Sequence, residues 1–182
     1  MKKVLVIGSS GAGKSVLARR LGEVTGLPVI HLDKHHWRPG WTEPPKEVWK
    51  NQVAELIKGD EWIIDGNFGG TMELRLASCD TVVWLDLPRY VCTWRVLKRV
   101  ITYRGDTRPD LAPECPEKFD LPFLKWVWDF PKRSRPVVIE RINKVKDRAT
   151  IYRLKGSRDV ENFLANVRQT YAQNRNGNGG DQ

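Results

Sequence analysis

A glycine-rich segment near the N-terminus constrains the fold of this chain more than any other feature of its sequence. Residues 8–15 match the pattern GxxxxGK[ST] in full: Gly8, Ser9, Ser10, Gly11, Ala12, Gly13, Lys14 and Ser15. The segment follows a short apolar run, Lys2–Ile7, and precedes a run with apolar residues at helical spacing, Val16–Val24. Glycines between a strand and a helix let backbone N–H groups surround a phosphate at the positive end of the helix dipole. The sequence therefore predicts that this segment is a phosphate-binding loop.

The same pattern predicts the ligands of two side chains in this loop. Lys14 is expected to reach the β- and γ-phosphates of a nucleoside triphosphate, and the hydroxyl of Ser15 is expected to bind Mg²⁺. Asp65 follows another apolar run, Trp62–Ile64, and is the second expected magnesium-binding residue. ATP and Mg²⁺ are therefore the predicted cofactors.

Apolar runs of strand length alternate along the chain with segments at helical spacing. Strands are expected at Lys2–Ile7, Val29–Leu32, Trp62–Ile64, Thr81–Leu87 and Thr150–Leu154. This alternation predicts an α/β fold with three layers, in which helices cover both faces of a five-stranded parallel sheet. Ligands of such sheets bind beyond the carboxyl ends of the strands. Gly8, Asp33, Asp65 and Asp86 stand at those ends, although Asp86 is expected to be structural.

Length and composition predict a single domain over residues 1–172 and a disordered Asn- and Gly-rich tail over residues 173–182. No apolar run approaches the roughly 20 residues that span a bilayer. The three cysteines are too far apart for a disulfide framework or a zinc site, which favours a cytoplasmic protein. The net charge of +9 indicates an anionic partner, but no nucleic-acid-binding motif accompanies it.

The segment after the second predicted strand carries the candidates for binding a phosphoryl acceptor. Asp33 ends that strand, where an acidic side chain can hold or deprotonate an acceptor hydroxyl; a helix cap or turn residue is the alternative. Trp37 and Trp41 lie in a stretch rich in Pro and Gly, and they line either a ligand or a core. The nearby histidines are expected to belong to the pocket wall rather than to a metal site.

A basic helix is expected at Tyr90–Thr102. Its helical spacing places two groups on opposite arcs, a basic one of Arg95, Lys98 and Arg99 and an apolar one of Val96, Leu97, Val100 and Ile101. The following segment, residues 103–118, adds Arg104 and Arg108. These cations either neutralise a transferred phosphoryl group or form a solvated basic face. Arg99 and Arg108 are the expected catalytic members.

Several of these motifs resemble the adenylate-kinase-related P-loop proteins, and most of all the bacterial group labelled topology modulation proteins (FlaR-like). The resemblance covers residues 1–170 and is carried by Gly8–Ser15, by His31-Leu32-Asp33 with Trp37 and Trp41, by Trp62–Phe68 and by Asp86–Arg89 with Arg95 and Arg99. It implies a nucleoside or small-molecule kinase-like core. It also implies an acceptor-side insert at about residues 33–58 and an arginine-bearing lid at about residues 103–118.

The chain departs from adenylate kinases after its third predicted strand. Their Asp-Gly-Phe-Pro-Arg stretch is replaced by Asp65, Gly66, Asn67, Phe68 and Gly69, so the arginine that grips a nucleotide phosphate is missing there. Gly66, Asn67 and Arg75 are the expected substrate-binding residues in its place, with Arg75 as the substitute arginine. The departure favours an acceptor other than a nucleoside monophosphate.

Three functions are consistent with these residues. The first is an ATP-dependent phosphotransferase that acts on a small-molecule or nucleotide acceptor, with the nucleoside triphosphate and that acceptor as its partners. The second is a nucleotide-binding regulator associated with DNA, in line with the topology modulation label. The third is a switch that hydrolyses a nucleoside triphosphate.

Overall fold

The computed structural model describes residues 1–103, 105–106 and 112–177, and the side chains within those ranges up to residue 173. Five parallel strands form one sheet in the order β2-β3-β1-β4-β5. They are β1 (Lys3–Gly8), β2 (Val29–His31), β3 (Trp62–Asp65), β4 (Thr81–Leu85) and β5 (Thr150–Leu154). The predicted α/β fold with a five-stranded parallel sheet is confirmed.

The helices lie on both faces of this sheet. They are α1 (Lys14–Thr25), α2 (Leu32–His36), α3 (Lys46–Leu56), α4 (Met72–Ser78), α5 (Arg89–Thr102), α6 (Leu121–Arg133), α7 (Arg135–Asn143) and α8 (Ser157–Gly177). Two short 3₁₀ turns, Pro39–Trp41 and Gly69–Thr71, interrupt the connections. In the described part of the chain, no helix is both long and apolar enough to cross a membrane.

The central strand shows why the sheet needs helices on both sides. Val4 and Val6 of β1 join the apolar cluster formed with α1, α5, α6 and α8. Leu5 and Ile7 join the opposite cluster, which includes α3, α4 and α7. All four side chains are fully buried. A strand that is apolar on both faces is stable only when both are covered, as in parallel sheets of α/β proteins.

Two segments differ from the expectations from sequence. Helix α2 begins at Leu32, so Asp33 lies in the first turn of a short helix rather than at the end of a strand. Helix α8 continues to Gly177 and so extends into the segment expected to be disordered. The rest of that tail, residues 178–182, lies outside the described residues.

The orientation of α5 also differs from the predicted one. Cys92 and Val96 are buried, whereas Ile101, expected on the sheet-facing arc, is 75% exposed. The helix packs against α6 and lies along the glycine-rich loop, where a carbonyl of α5 meets Gly11. These contacts rotate its inner face toward Cys92, Val96 and Arg99. The basic residue Arg99 is therefore drawn inward.

Candidate functional site

The glycine-rich loop connects β1 to α1 at the centre of the sheet. Strand β1 lies between β3 and β4 in the sheet. The connection that leaves β1 leads to β2, on the β3 side of the sheet. The connection that leaves β3 leads to β4, on the opposite side of β1. The connections therefore reverse direction beside the carboxyl end of β1. This topological switch point is where open parallel sheets bind their ligands.

Close packing against α5 explains a glycine within this loop. Gly11 has a φ of +77°, and a Cβ at that position would collide with the carbonyl oxygen of Cys92. Within the loop, the Ala12 N–H donates to the Ser9 carbonyl at 3.1 Å. One turn further along α5, Arg95 Nη1 donates to the Ala12 carbonyl at 3.3 Å. The loop is thus fixed by its own turn and by α5.

Lys14 interacts electrostatically with three other predicted site residues. Its Nζ donates to the Ser9 carbonyl at 3.1 Å. Burial lowers the pKa of Lys14, while the carboxylates of Asp33 and Asp65 oppose the shift and the cation Arg99 adds to it. The structure therefore brings together Lys14, Asp33, Asp65 and Arg99, which are far apart in the sequence. A lysine whose charge is disfavoured by burial gains stabilisation from an anionic ligand.

A histidine holds the carboxylate of Asp65. His31 Nδ1 lies 2.7 Å from Asp65 Oδ1, and both side chains are nearly buried. The two residues are direct partners in the register of β2 and β3. Such a partner fixes the orientation of a metal-binding carboxylate. The sequence analysis assigned the histidines only to a pocket wall. Two polar residues at the ends of neighbouring strands could have indicated that His31 and Asp65 are in contact.

The described residues contain no cluster of three or more His, Cys, Asp or Glu side chains arranged to hold a metal. Mg²⁺ needs no such cluster, since it takes one or two carboxylates and fills its shell with water and phosphate oxygens. The Asp65 carboxylate and the Ser15 hydroxyl at the start of α1 are oxygen donors of that kind. These residues therefore fit the predicted cation.

Asn67 binds the beginning of the loop. Its Oδ1 accepts from the Gly8 N–H at 3.0 Å, and its Nδ2 donates to the Gly8 carbonyl at 2.7 Å. The neighbouring Gly66 N–H donates to the Val6 carbonyl at 3.2 Å. The amide of Asn67, expected to contact substrate, thus fastens the end of β3 to the end of β1.

Arg75 lies in the interior rather than in the substrate pocket. Its side chain is fully buried and donates to the backbone carbonyls of Gly66, Asn67, Phe68 and Thr71. Burial lowers the pKa of Arg75 to about 9, with a smaller contribution from Arg141. Phe68 adopts a φ of +27°, which is rare for a residue with a side chain. The role expected for Arg75 is corrected: it holds the loop after β3 and does not substitute for a phosphate-gripping arginine.

The two tryptophans connect the acceptor-side insert to the described part of the predicted lid. Trp37 and Trp41 pack against Ala112 and Cys115. Trp41 Nε1 also donates to the Pro116 carbonyl at 3.1 Å. Contact of either tryptophan with substrate stays a prediction. Arg104 and Arg108 of the predicted lid lie outside the described residues.

Glu117 is a buried carboxylate beside the predicted site residue Arg99, and sequence reasoning missed it. It is 5% exposed, and its Oε1 lies 2.9 Å from Arg99 Nε. Its surroundings in the sequence are rich in proline, and no periodic pattern marks it as buried. Only the packing of the segment against α5 reveals it.

A cavity of about 310 Å³ opens on the outer side of the glycine-rich loop. Its wall is mainly apolar and is formed by the start of α1, the end of β4 and the start of α8. The lining also includes Arg95, Ser157 and the ion pair between Arg20 and Glu161. A mainly apolar wall with a few polar groups is typical of a small-molecule site.

Comparison with known proteins places the fold. No family model and no curated protein sequence matches the chain. Among solved structures, it is similar to a shikimate kinase from Acinetobacter baumannii in complex with shikimate, with a TM-score of 0.61, 19% identity and coverage of 96% of this chain and 94% of that one. A shikimate kinase from Bacteroides thetaiotaomicron is also similar, with a TM-score of 0.50, 16% identity and coverage of 92% and 96%.

These matches establish architecture only, because identities below 20% carry no conclusion about substrate. The narrower resemblance to topology modulation proteins is supported by neither match and stays a prediction. The chain has the α/β fold of the shikimate kinases, which are P-loop kinases.

Proposed function

We propose that this protein is an ATP-dependent phosphotransferase that acts on a hydroxyl group of a small-molecule acceptor. The observation that carries the proposal is that Asp65 ends β3, between β1 with its complete glycine-rich loop and β2, which leads to Asp33. Asp33, Asp65 and Arg99 all influence the charge of Lys14 in that loop. A phosphoryl-transfer site needs these parts: a phosphate cradle, cations for the developing charge, a carboxylate for Mg²⁺ and a carboxylate for the acceptor.

The nucleotide would occupy the loop and the adjoining cavity. Residues 8–15 would hold the phosphates, and the apolar wall beside Arg95 and Ser157 would accept the base. Ser15 and Asp65 would hold Mg²⁺, with His31 orienting the carboxylate. The cation, when bound, neutralises charge on the β- and γ-phosphates.

The chemistry assigned to the chain is an in-line transfer. Asp33 accepts the proton of the acceptor hydroxyl, whose oxygen forms a bond to the γ-phosphorus. The bond from that phosphorus to the β–γ bridging oxygen breaks, and ADP leaves with the electron pair. Lys14 and Arg99 stabilise the charge that develops on the transferred group. Atoms and charge balance without any further reactant.

Two observations favour a small acceptor without a nucleotide phosphate. The buried guanidinium group of Arg75 donates its hydrogen bonds to backbone carbonyls, so we assign it no contact with a monophosphate. The structurally similar proteins are also named shikimate kinases, and one of them is in complex with shikimate. This part of the proposal is an analogy between folds and is tested as such.

The test measures ADP release and phosphorylated product with AMP, shikimate and glycerol as separate acceptor probes. Asp33→Asn is expected to lower phosphoryl transfer by about 10²-fold or more, because it loses the proton acceptor. ATP affinity should change by less than about 3-fold, since the amide keeps the shape of the side chain. Asp60→Asn, which changes an exposed carboxylate, is the matched control.

Two outcomes contradict the proposal. If ADP forms with inorganic phosphate and none of the probes is phosphorylated, the protein is a hydrolytic switch. If Asp33→Asn transfers phosphate at the wild-type rate, Asp33 is only a turn residue of α2.

A further inference from the structure

Glu117 is a buried carboxylate whose backbone is also fixed. Its N–H donates to the Asp106 carbonyl at 3.0 Å, and its own carbonyl accepts from the Gly105 N–H at 3.4 Å. Its side chain is 4% exposed and forms an ion pair with Arg99 Nε. A carboxylate leaves water at a large cost unless a cation compensates it. The ion pair with Arg99 offsets part of this cost.

Arg99 lies on α5, and its side chain is mostly buried. It lies one turn beyond Arg95, which contacts the loop at Ala12, and its charge lowers the pKa of Lys14. An arginine loses rotamer freedom when it is held in one orientation, so a site that needs it gains from a fixed partner. Glu117 Oε1 lies 2.9 Å from Nε, at the base of the planar guanidinium group, and its charge restricts where that group can lie.

Residues 112–117, which we term the strut, end at Glu117 and contact the acceptor-side insert. The Gly40 N–H donates to the Glu114 carbonyl at 3.0 Å, and Trp41 Nε1 donates to the Pro116 carbonyl at 3.1 Å. Cys115 Sγ lies 3.3 Å from the Arg38 carbonyl. Pro116 is adjacent to Glu117 in the chain, so the hydrogen bond from Trp41 and the buried carboxylate are one peptide unit apart.

We propose that Glu117 is a positioning residue that orients Arg99 for phosphoryl transfer and couples this orientation to the packing of the acceptor-side insert on the strut. The inference rests on the proposed function, because it assumes that Arg99 acts on the transferred phosphoryl group. Glu117 itself touches no reacting atom. Its effect therefore belongs to the reacting state and not to the binding of ground-state nucleotide.

The experiment compares the affinity for Mg²⁺–ADP with that for Mg²⁺–ADP plus aluminium fluoride, which mimics the transferred phosphoryl group and needs no identified acceptor. In full-length protein, Glu117→Gln is expected to weaken binding of the aluminium fluoride complex by about 10- to 100-fold, the effect of misplacing a catalytic group. Affinity for ADP alone should change by less than about 3-fold. Glu114→Gln, an exposed carboxylate of the strut, is the control.

Coupling to the insert is tested with Trp41→Phe, which removes the hydrogen bond to Pro116 and keeps an aromatic ring. Combined with Glu117→Gln, it should add little further loss, because both changes act through the strut. If Glu117→Gln does not fold, Glu117→Asp keeps the charge and is expected to give a smaller loss of the same kind.

The outcomes separate the two proposals. Equal weakening of both ADP complexes, or no weakening of either, overturns the positioning role and leaves the proposed function standing. Fully additive losses in the double variant overturn the coupling to the insert. If the wild-type protein binds ADP equally with and without aluminium fluoride, the proposed function fails, and the positioning role fails with it.

Discussion

Arg75 shows how one buried side chain organises the loop after β3. Its guanidinium donates to three consecutive carbonyls, those of Gly66, Asn67 and Phe68. Asn67 in turn binds both backbone polar groups of Gly8. Backbone dipoles thus stabilise the buried guanidinium group of Arg75, and the loop after β3 is held against the start of the glycine-rich loop.

We expect Arg75→Met to lower the free energy of unfolding by about 3 kcal/mol or more, because it leaves several buried carbonyls without a donor. ATP affinity should also fall, since Asn67 would lose its fixed position. Urea denaturation and nucleotide titration measure the two effects. Arg19→Met, at an exposed position of α1, is the control. A loss of stability below about 1 kcal/mol would show that water replaces the guanidinium in this loop.

At the scale of elements, α5 makes the contacts that shape the phosphate site. The carbonyl of Cys92 lies against Gly11, Arg95 binds the Ala12 carbonyl, and Arg99 influences Lys14. These residues recur every three to four positions and so share one face of the helix. A single rigid element thereby sets both the shape of the loop and the charge around it.

We expect Gly11→Ala to disrupt nucleotide binding because its Cβ would collide with the Cys92 carbonyl. Gly26→Ala is the matched control: its φ of +78° is almost the same, but a Cβ there meets nothing within 4 Å. The left-handed conformation should lower the free energy of unfolding of both variants by about 1–2 kcal/mol. Gly11→Ala should lose about 1–3 kcal/mol more from overpacking, measured by denaturation. Equal losses in the two variants would contradict close packing between α5 and the loop.

At the scale of the whole molecule, Asp86 joins the far half of the sheet to α7. Its carboxylate accepts from Arg135 of α7 and from Arg153 of β5. Both guanidinium groups also lie over the ring of Trp84. Burial by itself would raise the pKa of Asp86, but the hydrogen bonds from the two arginines outweigh it and hold the pKa below its usual range.

We expect Asp86→Asn to lower the free energy of unfolding at pH 7 by about 1.5–3 kcal/mol, the range for hydrogen bonds to charged groups. A carboxylate with a depressed pKa in the folded state stabilises the protein fully above its unfolded pKa, near 3.8. That stabilisation is lost as the pH falls through the lower, folded value. The stability difference between the wild-type protein and the variant should therefore begin to shrink as the pH falls below about 3.8, and it should vanish only below the folded pKa. Asp147→Asn, an exposed carboxylate, is the control, and a pH-independent difference would contradict this role.

The sequence by itself determined the features that depend on local spacing. The glycine-rich loop could be predicted in its strand-to-helix context, because its backbone requirements are met by neighbouring residues. The order of strands and helices followed from the alternation of apolar runs, and the last strand, Thr150–Leu154, was predicted at its observed bounds. Asp33 could be expected near Lys14, because the carboxyl ends of parallel strands meet at one edge of the sheet.

Only the tertiary structure decided which polar side chains serve the site and which serve the fold. Arg75 and Asn67 were expected to bind substrate, yet they bind backbone groups, including those of a residue 59 positions away in the case of Asn67. His31 and Glu117 gained their roles from partners that lie in other elements. The spacing of residues in the sequence indicates only which residues share a face of one helix or strand. The free-energy cost of burying a polar group depends on the hydrogen-bond partners that other elements bring to it in the folded protein.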